Sequence, residues 1–323
     1  METNVLTEEL AKAQQLKDST RDTIGMLSIK SVNQAMKEAS QRPNPMPLWL
    51  SLWYEGEACC LFADSNLGKS IYAVQIATHI ATLMKVLYLD FELSDKQFQL
   101  RYTGDNGELF EFPNNLYRVD IDREHLSIGD FEAEIIDNIE QVIEASGANV
   151  LIIDNLTYLC TAAEKGDVAG SLMIKLLSLK RKYNLSILVI AHTPKRQLSN
   201  PITQNDLAGS KKLFNFFDSV FAIGKSAKDS NLRYIKQIKV RYGSYTNDAD
   251  NVIVCTIEKT DSFLQFVQIG FGDEREHLRE RSEDDINEEI KNIQLLVSKG
   301  NSYSTVAKEL GISKSKVQRA MKK

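Results

Sequence analysis

The sequence predicts an α/β fold: a doubly wound, mainly parallel sheet finished by antiparallel strands and followed by a small all-α unit. Three segments carry the parallel part, 85–92 (KVLYLDFE), 149–157 (NVLIIDNLT) and 185–195 (LSILVIAHTPK). Each is an apolar run closing on polar residues, and strands without a polar face belong to sheets covered on both sides. Helical patterns fall between them, notably at 131–145 and 169–183. From Asn231 the runs shorten and alternate, at 234–240, 252–258 and 263–270, as antiparallel strands do.

Length and composition set the bounds. A chain of 323 residues, 43% hydrophobic, holds one large domain with small appendages. A formal charge of -5 excludes a generally basic nucleic-acid coat, so any such binding is local. The four cysteines, Cys59, Cys60, Cys160 and Cys255, form no metal-ligand spacing and read as reduced, buried thiols. No leader and no membrane-spanning run is expected, so the chain reads as cytoplasmic with no membrane partner.

The run 58–63 breaks into a polar loop ending in Gly68-Lys69-Ser70, then opens into the amphipathic segment 71–84. Strand, loop and helix in that order curve backbone N–H groups around a polyphosphate at the positive end of a helix. Lys69 would reach the β- and γ-phosphates and the Ser70 hydroxyl would bind Mg²⁺. The expected nucleotide contacts are therefore Ala63, Asp64, Ser65, Asn66, Leu67, Gly68, Lys69 and Ser70. The pattern G-x-x-x-x-G-K-[ST] has Ala63 in place of its first glycine, the smallest substitute available. Asn66 tolerates left-handed backbone. Asp64 must point away from a triphosphate that would repel it. The alternative is a strand-to-helix turn that merely contains Gly-Lys-Ser.

Before this loop, residues 1–40 show helical spacing in Leu6, Leu10 and Ala13 and again in Met26, Ile29, Val32 and Met36, which predicts a helical arm. Pro43, Pro45 and Pro47 make an extended linker. Trp49 and Trp53 read as core packing rather than a base-stacking platform. After the loop, Asp154 ends its apolar strand where a Walker B acid would hold the water shell of Mg²⁺, with a helix N-cap as the plainer alternative. Its place after Lys69 and Ser70 favours the metal role.

Taken together, 63–70, Leu89-Asp90-Phe91-Glu92, Ile152-Ile153-Asp154, Ala191-His192-Thr193-Pro194-Lys195 and Lys239-Val240-Arg241-Tyr242-Gly243 resemble the RecA-like ATPases. Within them the chain is most similar to the plasmid RepA-type and DnaB-type hexameric helicases, over roughly 48–272. The resemblance implies ATP and Mg²⁺ as ligands and a RecA-like core. It makes Glu92 the general base, since Asn155 rather than Glu follows Asp154, and His192 the γ-phosphate sensor. It also makes Lys239 and Arg241 fingers inserted into the next subunit's site. A homo-oligomer is implied, a hexamer being one such ring. Single-stranded DNA would be gripped in a channel by segments 157–168 and 195–213, which contain Lys195, Arg196, Lys211 and Lys212.

The C-terminal region reads as a helix-turn-helix. Ile286, Ile290, Ile293 and Val297 share one face of a helix over 283–299. A second helix over 304–310, a turn over 311–313 and a third helix over 314–323 follow, with Ala307, Gly311 and Val317 at crossing, turn and anchor positions. Ser313 is a natural N-cap. The basic face of Lys314, Lys316, Gln318, Arg319, Lys322 and Lys323 suits duplex DNA; a helical protein-interaction appendage is the alternative. The expected domains are thus an arm and linker (1–47), an ATPase domain (48–272), a charged linker (273–285) and the helix-turn-helix (286–323). The function expected is a DNA-dependent ATPase, a helicase or motor in replication or mobilisation of a plasmid or mobile element. An ATP-switched DNA-binding regulator or loader, and a degenerate nucleotide-binding module, remain the alternatives.

Overall fold

The computed structural model describes residues 22–24, 27–121, 131–161, 168–194, 196–207, 211–280, 283–310, 312 and 314–322. The chain divides into two units, Met1–Met46 and Pro47–Lys323. In the first, β1 (Asp22–Ile24) pairs antiparallel with β2 (Leu27–Ile29), and α1 (Val32–Ser40) follows. The helical stripe expected from Met26 onward is therefore corrected: Ile29 closes a strand and the helix begins only at Val32. The β-branched Thr23, Ile24 and Ile29 favour extended backbone. Ser31 then starts the helix by accepting a hydrogen bond from Gln34 N at 3.2 Å. The positions before residue 22 lie outside the described residues.

The second unit opens with a hairpin, β3 (Pro47–Trp49) and β4 (Trp53–Tyr54). Then come β5 (Ala58–Ala63), α2 (Lys69–Ala81), β6 (Val86–Asp90), α3 (Asp95–Arg101) and β7 (Leu116–Val119). The middle of the chain supplies α4 (Phe131–Ser146), β8 (Val150–Asp154), α5 (Leu156–Thr161), α6 (Val168–Tyr183), β9 (Ser186–His192), α7 (Lys211–Phe216) and β10 (Ser219–Lys225). Three longer strands, β11 (Leu232–Lys239), β12 (Val252–Thr260) and β13 (Phe263–Gly272), complete a nine-stranded sheet in the order β13-β12-β11-β10-β5-β9-β8-β6-β7. From β10 to β7 neighbours run parallel, and β10 through β13 run antiparallel. This is the doubly wound RecA-like sheet expected. Two parallel strands, β7 and β10, join those the sequence reading marks out: β7 is four residues and half polar, whereas β10 is as long and as buried as β9 and carries the same apolar signal.

Alternate side chains of the central strands feed two cores. Cys59, Leu61 and Ala63 of β5 face α2, where Tyr72, Ile76 and Ile80 are buried, while Cys60 and Phe62 face the side of Ile143 and Leu176. Trp53 is fully buried, and Trp49 donates from Nε1 to the Tyr72 hydroxyl at 2.7 Å, so both tryptophans are packing residues. Fully burying each large side chain stabilises by about 1.5–3 kcal/mol, which holds the strand ends, and hence the site, in fixed register.

Three helices close the chain, α8 (Glu283–Ser298), α9 (Tyr303–Leu310) and α10 (Lys314–Ala320), around Ile293, Val306, Ala307, Val317 and Ala320. Gly311 and Ser313 lie outside the described residues, as does Lys323. Among the described residues no helix is long and apolar enough to cross a membrane.

Candidate nucleotide site

The parallel strands deliver their polar ends to one place. Ala63 of β5 is the register partner of His192 on β9, and Asp90 of β6 is that of Asp154 on β8. Ser65, Asn66, Gly68, Lys69, Ser70, Glu92, Arg101, His192 and Ile257 line a polar cavity of about 440 Å³ beside them, within the size range of small-molecule sites.

The loop after β5 has the backbone a phosphate cradle needs. Asn66 and Gly68 adopt left-handed conformations, φ 63° and 92°. At Gly68 a Cβ would also lie 2.8 Å from Ile257 Cδ1, so only glycine fits. Ala63 is still strand backbone, the last residue of β5 and without a positive φ, a conformation any residue adopts, so a methyl can stand in for the first glycine. Lys69 Nζ donates to Ala63 O and Asp64 O, 3.0 Å each. Burial lowers its pKa, with the carboxylates of Asp154, Glu92 and Asp64 opposing. The ammonium is thus sequestered on carbonyls that phosphate oxygens can replace.

The acids divide by environment. Asp154 is 2% exposed, accepts from the Tyr88 hydroxyl at 2.6 Å and hydrogen-bonds with Ser70. Burial pushes its carboxyl up to about 6, with the charges of Glu92 and Asp90 adding to the rise. Asp90 is equally buried but committed: it accepts from Arg118 Nε at 3.0 Å and from the backbone N–H groups of Glu92 and Leu93. Arg118 further binds Asp95 and Leu93 O. Glu92, two residues on, keeps 42% of its side chain exposed. Its Oε1 accepts from Asn155 Nδ2 and lies 3.5 Å from His192 Nε2. The hydrogen bond to His192 holds Glu92 below the usual glutamate range, so it stays a carboxylate. Asn155 also lies 3.2 Å from His192 Nε2, closing a Glu92–Asn155–His192 cluster.

Two residues of this site escape the sequence reading. Asn155 bridges base candidate and sensor candidate. Arg101, on the last turn of α3, lines the cavity with Nη1 buried and unpartnered among the described residues. Its signal is the capping box at Ser94 and Gln97, which fixes α3 in phase with Glu92.

Other predicted residues sit elsewhere. Arg241 Nη1 donates to Asp218 Oδ1 at 2.7 Å, and Lys239 Nζ donates to Phe214 O at 3.1 Å. Both lie near the amino-terminal end of β5, away from their own phosphate loop: Lys239 pairs with Val220, and Asp218 binds Ala58 N. Arg196, expected on DNA, is turned inward: its Nε lies 3.5 Å from Asp64 Oδ2, its Nη1 donates to Asn200 O, and its side chain is 7% exposed. Lys316, expected on the outer face of α10, is instead bound to Glu289 Oε1 at 2.8 Å; it shares the helix side of the buried Val317 and Ala320. Lys314, Gln318 and Arg319 are exposed. Lys195 lies outside the described residues, and of Lys211 and Lys212 only the backbone in α7 is described.

A sheet of this order, with a phosphate loop after its central strand and acids on the adjoining strand ends, defines a P-loop ATPase core of RecA-like type. The chain belongs to the AAA domain family, whose profile matches residues 27–197. The DNA repair protein RadA of Streptococcus pneumoniae (strain ATCC BAA-255 / R6) is 24% identical over 199 residues. That match covers 60% of this chain and 41% of RadA, so the chain spans about two fifths of this relative's length. Among solved structures, a KaiC-like protein from Pyrococcus horikoshii OT3 overlays with a TM-score of 0.49 at 13% identity, covering 67% of this chain and 91% of that one.

Proposed function

We propose that the chain is a DNA-dependent ATPase, a motor of the RepA/DnaB hexameric helicase type acting in replication or mobilisation of a plasmid or mobile element. The observation that carries the ATPase reading is the convergence of Lys69, Ser70, Glu92 and His192 on one cavity, with Asp154 joined to it through Ser70. Asp154 is a buried carboxylate held above its ordinary range beside a hydroxyl, a pair that fits a divalent cation. Ser70 and Asp154 would hold Mg²⁺, which supplies charge neutralisation to the phosphates when bound.

The chain's own residues divide the remaining work. Lys69 exchanges its two loop carbonyls for the β- and γ-phosphates. Glu92 exchanges Asn155 for the attacking water and takes its proton as the oxygen bonds to the γ-phosphorus and the bridge to ADP breaks. His192, 3.5 Å from Glu92, feels the change at the γ-position. Arg241 of a neighbouring copy steadies the transferred phosphoryl group.

DNA as partner is supported by the likeness to RadA, a DNA repair protein, and by the exposed Lys314, Gln318 and Arg319 on α10. Segments 157–168 and 195–213 come in the chain just after β8 and β9, the strands that end in Asp154 and His192, so a DNA grip there would be coupled along the chain to the hydrolysis site. ATP turnover of wild type and Lys69→Ala, with and without single-stranded DNA, tests the reading. Wild type should hydrolyse ATP faster with DNA, and the folded variant should be inactive; wild-type-like turnover in Lys69→Ala would overturn it. Strand displacement on a forked duplex tests the helicase assignment.

A further inference from the structure

Among the described residues that line the nucleotide cavity, Ile71 and Ile257 are the apolar side chains. Ile71 stands on the first turn of α2, one residue past Ser70. Ile257 comes from β12, far along the chain, and the last hairpin of the sheet brings it over the phosphate loop. A Cβ on Gly68 would lie 2.8 Å from Ile257 Cδ1 and 3.0 Å from the ring of Phe266, so β12 and β13 press on the loop at that glycine. Ile257 and Phe266 are register partners. Phe266 is buried in the core on the α2 side of the sheet, and Ile257 packs against that core while staying half-buried.

The hairpin is bolted to the helix that carries the loop. Gln75 Nε2 donates to Phe266 O at 3.0 Å, and Phe266 N donates to Gln75 Oε1 at 2.9 Å. β13 is an outer strand of the sheet, and the Gln75 amide takes both backbone groups of Phe266 as a neighbouring strand would. Tyr72, three residues earlier on α2, packs its ring 4.8 Å from that of Phe266. Gln75 and Tyr72 share their helix with Lys69 and Ser70, so hairpin and phosphate loop are held in one register. Lys69, Ser70, Glu92 and His192 give the cavity an end suited to a polyphosphate. An apolar side chain offers nothing to phosphate oxygens, which would lose water against it without a partner. The part of a nucleoside triphosphate that gains from apolar contact is the nucleoside, whose base has a flat face.

We propose that Ile257 is a binding residue for the nucleoside part of the nucleotide, and that Gln75 is a positioning residue that holds β13, and with it Ile257, over the cavity. The inference rests on the nucleotide reading of this cavity and assigns to Gln75 an action exerted only through the hairpin. The rival is that Ile257 merely packs on Gly68 and so shapes the phosphate loop.

The two are separated by measuring affinity for a non-hydrolysable ATP analogue and for inorganic tripolyphosphate, each with Mg²⁺, on the full chain. Ile257→Ala should weaken the analogue by about 10-fold, the scale of about two buried methylene groups, and leave tripolyphosphate within about 2-fold. Ile257→Val, the milder cut, should weaken the analogue by about 3-fold with tripolyphosphate again unmoved. Gln75→Met keeps length and helix propensity but neither hydrogen bond, and should weaken the analogue alone by about 5-fold. Adding it to Ile257→Ala should cost at most about 2-fold more, because both act through one contact. Each variant is checked by its melting curve, and a merely structural role would move melting temperature or both ligands together. Equal loss of both ligands in the Ile257 variants, or loss of neither, would overturn the inference while leaving nucleotide binding intact. Fully additive losses in the double variant would overturn the role of Gln75. Failure of wild type to bind either ligand would remove the ATPase reading and this inference together.

Discussion

Mixing two inactive variants tests whether copies of this chain share nucleotide sites. Arg241 hydrogen-bonds Asp218 at 2.7 Å, and Asp218 in turn accepts from Ala58 N, the first residue of β5. The phosphate loop follows Ala63, the last residue of that strand. Five residues of extended chain separate the two ends, about 16 Å at about 3.3 Å per residue, more than an arginine side chain spans. Arg241 cannot serve its own Lys69, yet 59% of its side chain is exposed and available to a neighbour. Arg241→Ala should bind ATP normally and lose turnover by about 10³-fold, the scale of an arginine finger. Lys69→Ala should be inactive with its finger intact. In a randomly assembled 1:1 mixture, about one interface in four joins an intact Lys69 to an intact Arg241, so activity should recover to about a quarter of wild type. Steady-state ATP turnover of the mixture, with co-assembly shown by light scattering, is the measurement. No recovery in co-assembled mixtures, or full activity in Arg241→Ala alone, would refute the shared site.

Glu92→Gln should keep ATP binding and lose about 10²-fold or more in hydrolysis, the scale of a lost general base. Asp90→Asn, whose carboxylate serves Arg118 and two backbone N–H groups, should act mainly on stability; single-turnover rates far lower in Asp90→Asn would reverse the assignment. Asp154→Asn should stabilise the nucleotide- and metal-free chain at pH 8. Burial lifts this carboxyl from 3.8 to about 6, so the native state loses stability as pH rises through that window. At about 1.4 kcal/mol per tenfold change in proton affinity, the ionised group costs about 3 kcal/mol, of which about 1–2 should remain as net gain once the carboxamide's unpaired N–H is charged against it. Melting curves in chelator should show the gap closing toward pH 4; a lower melting temperature for the variant at pH 8 would count against it. Deleting residues 283–323 should leave ATPase activity and weaken duplex binding, flattening log affinity against log salt by about 0.9 for each DNA phosphate that the shortened chain no longer neutralises. An unchanged slope would mean these helices bind something else.

Much of this protein is legible in one dimension. Continuous apolar strands closed by Asp90, Asp154 and His192, alternating with helices, determine a parallel sheet with its polar residues gathered at one end. Gly-Lys-Ser after such a strand determines a phosphate cradle. These features are legible because they depend on local spacing: period two, period 3.6, and the residues at which each run stops. The four-residue, half-polar β7 was beyond that reach, since a run this short acquires its pairing from neighbours already in place, whereas β10, with its buried run Val220–Ile223, carries the same local signal as β6 and β8.

Only the tertiary structure decided which charges meet. The family resemblance placed Arg196, and helical spacing placed Lys316, on surfaces for DNA, but folding brings Asp64 and Glu289 beside them. Register likewise carries Arg241 to the opposite end of β5 from Lys69, a separation that their distance along the chain does not reveal. The choice between Asp90 and Glu92 is of the same kind: both are acids at one strand end, and they diverge because Arg118, from an unrecognised strand, seals the first and leaves the second open to the cavity. Local pattern determines where polar groups must end, whereas long-range charge pairing determines which of them remain free to act.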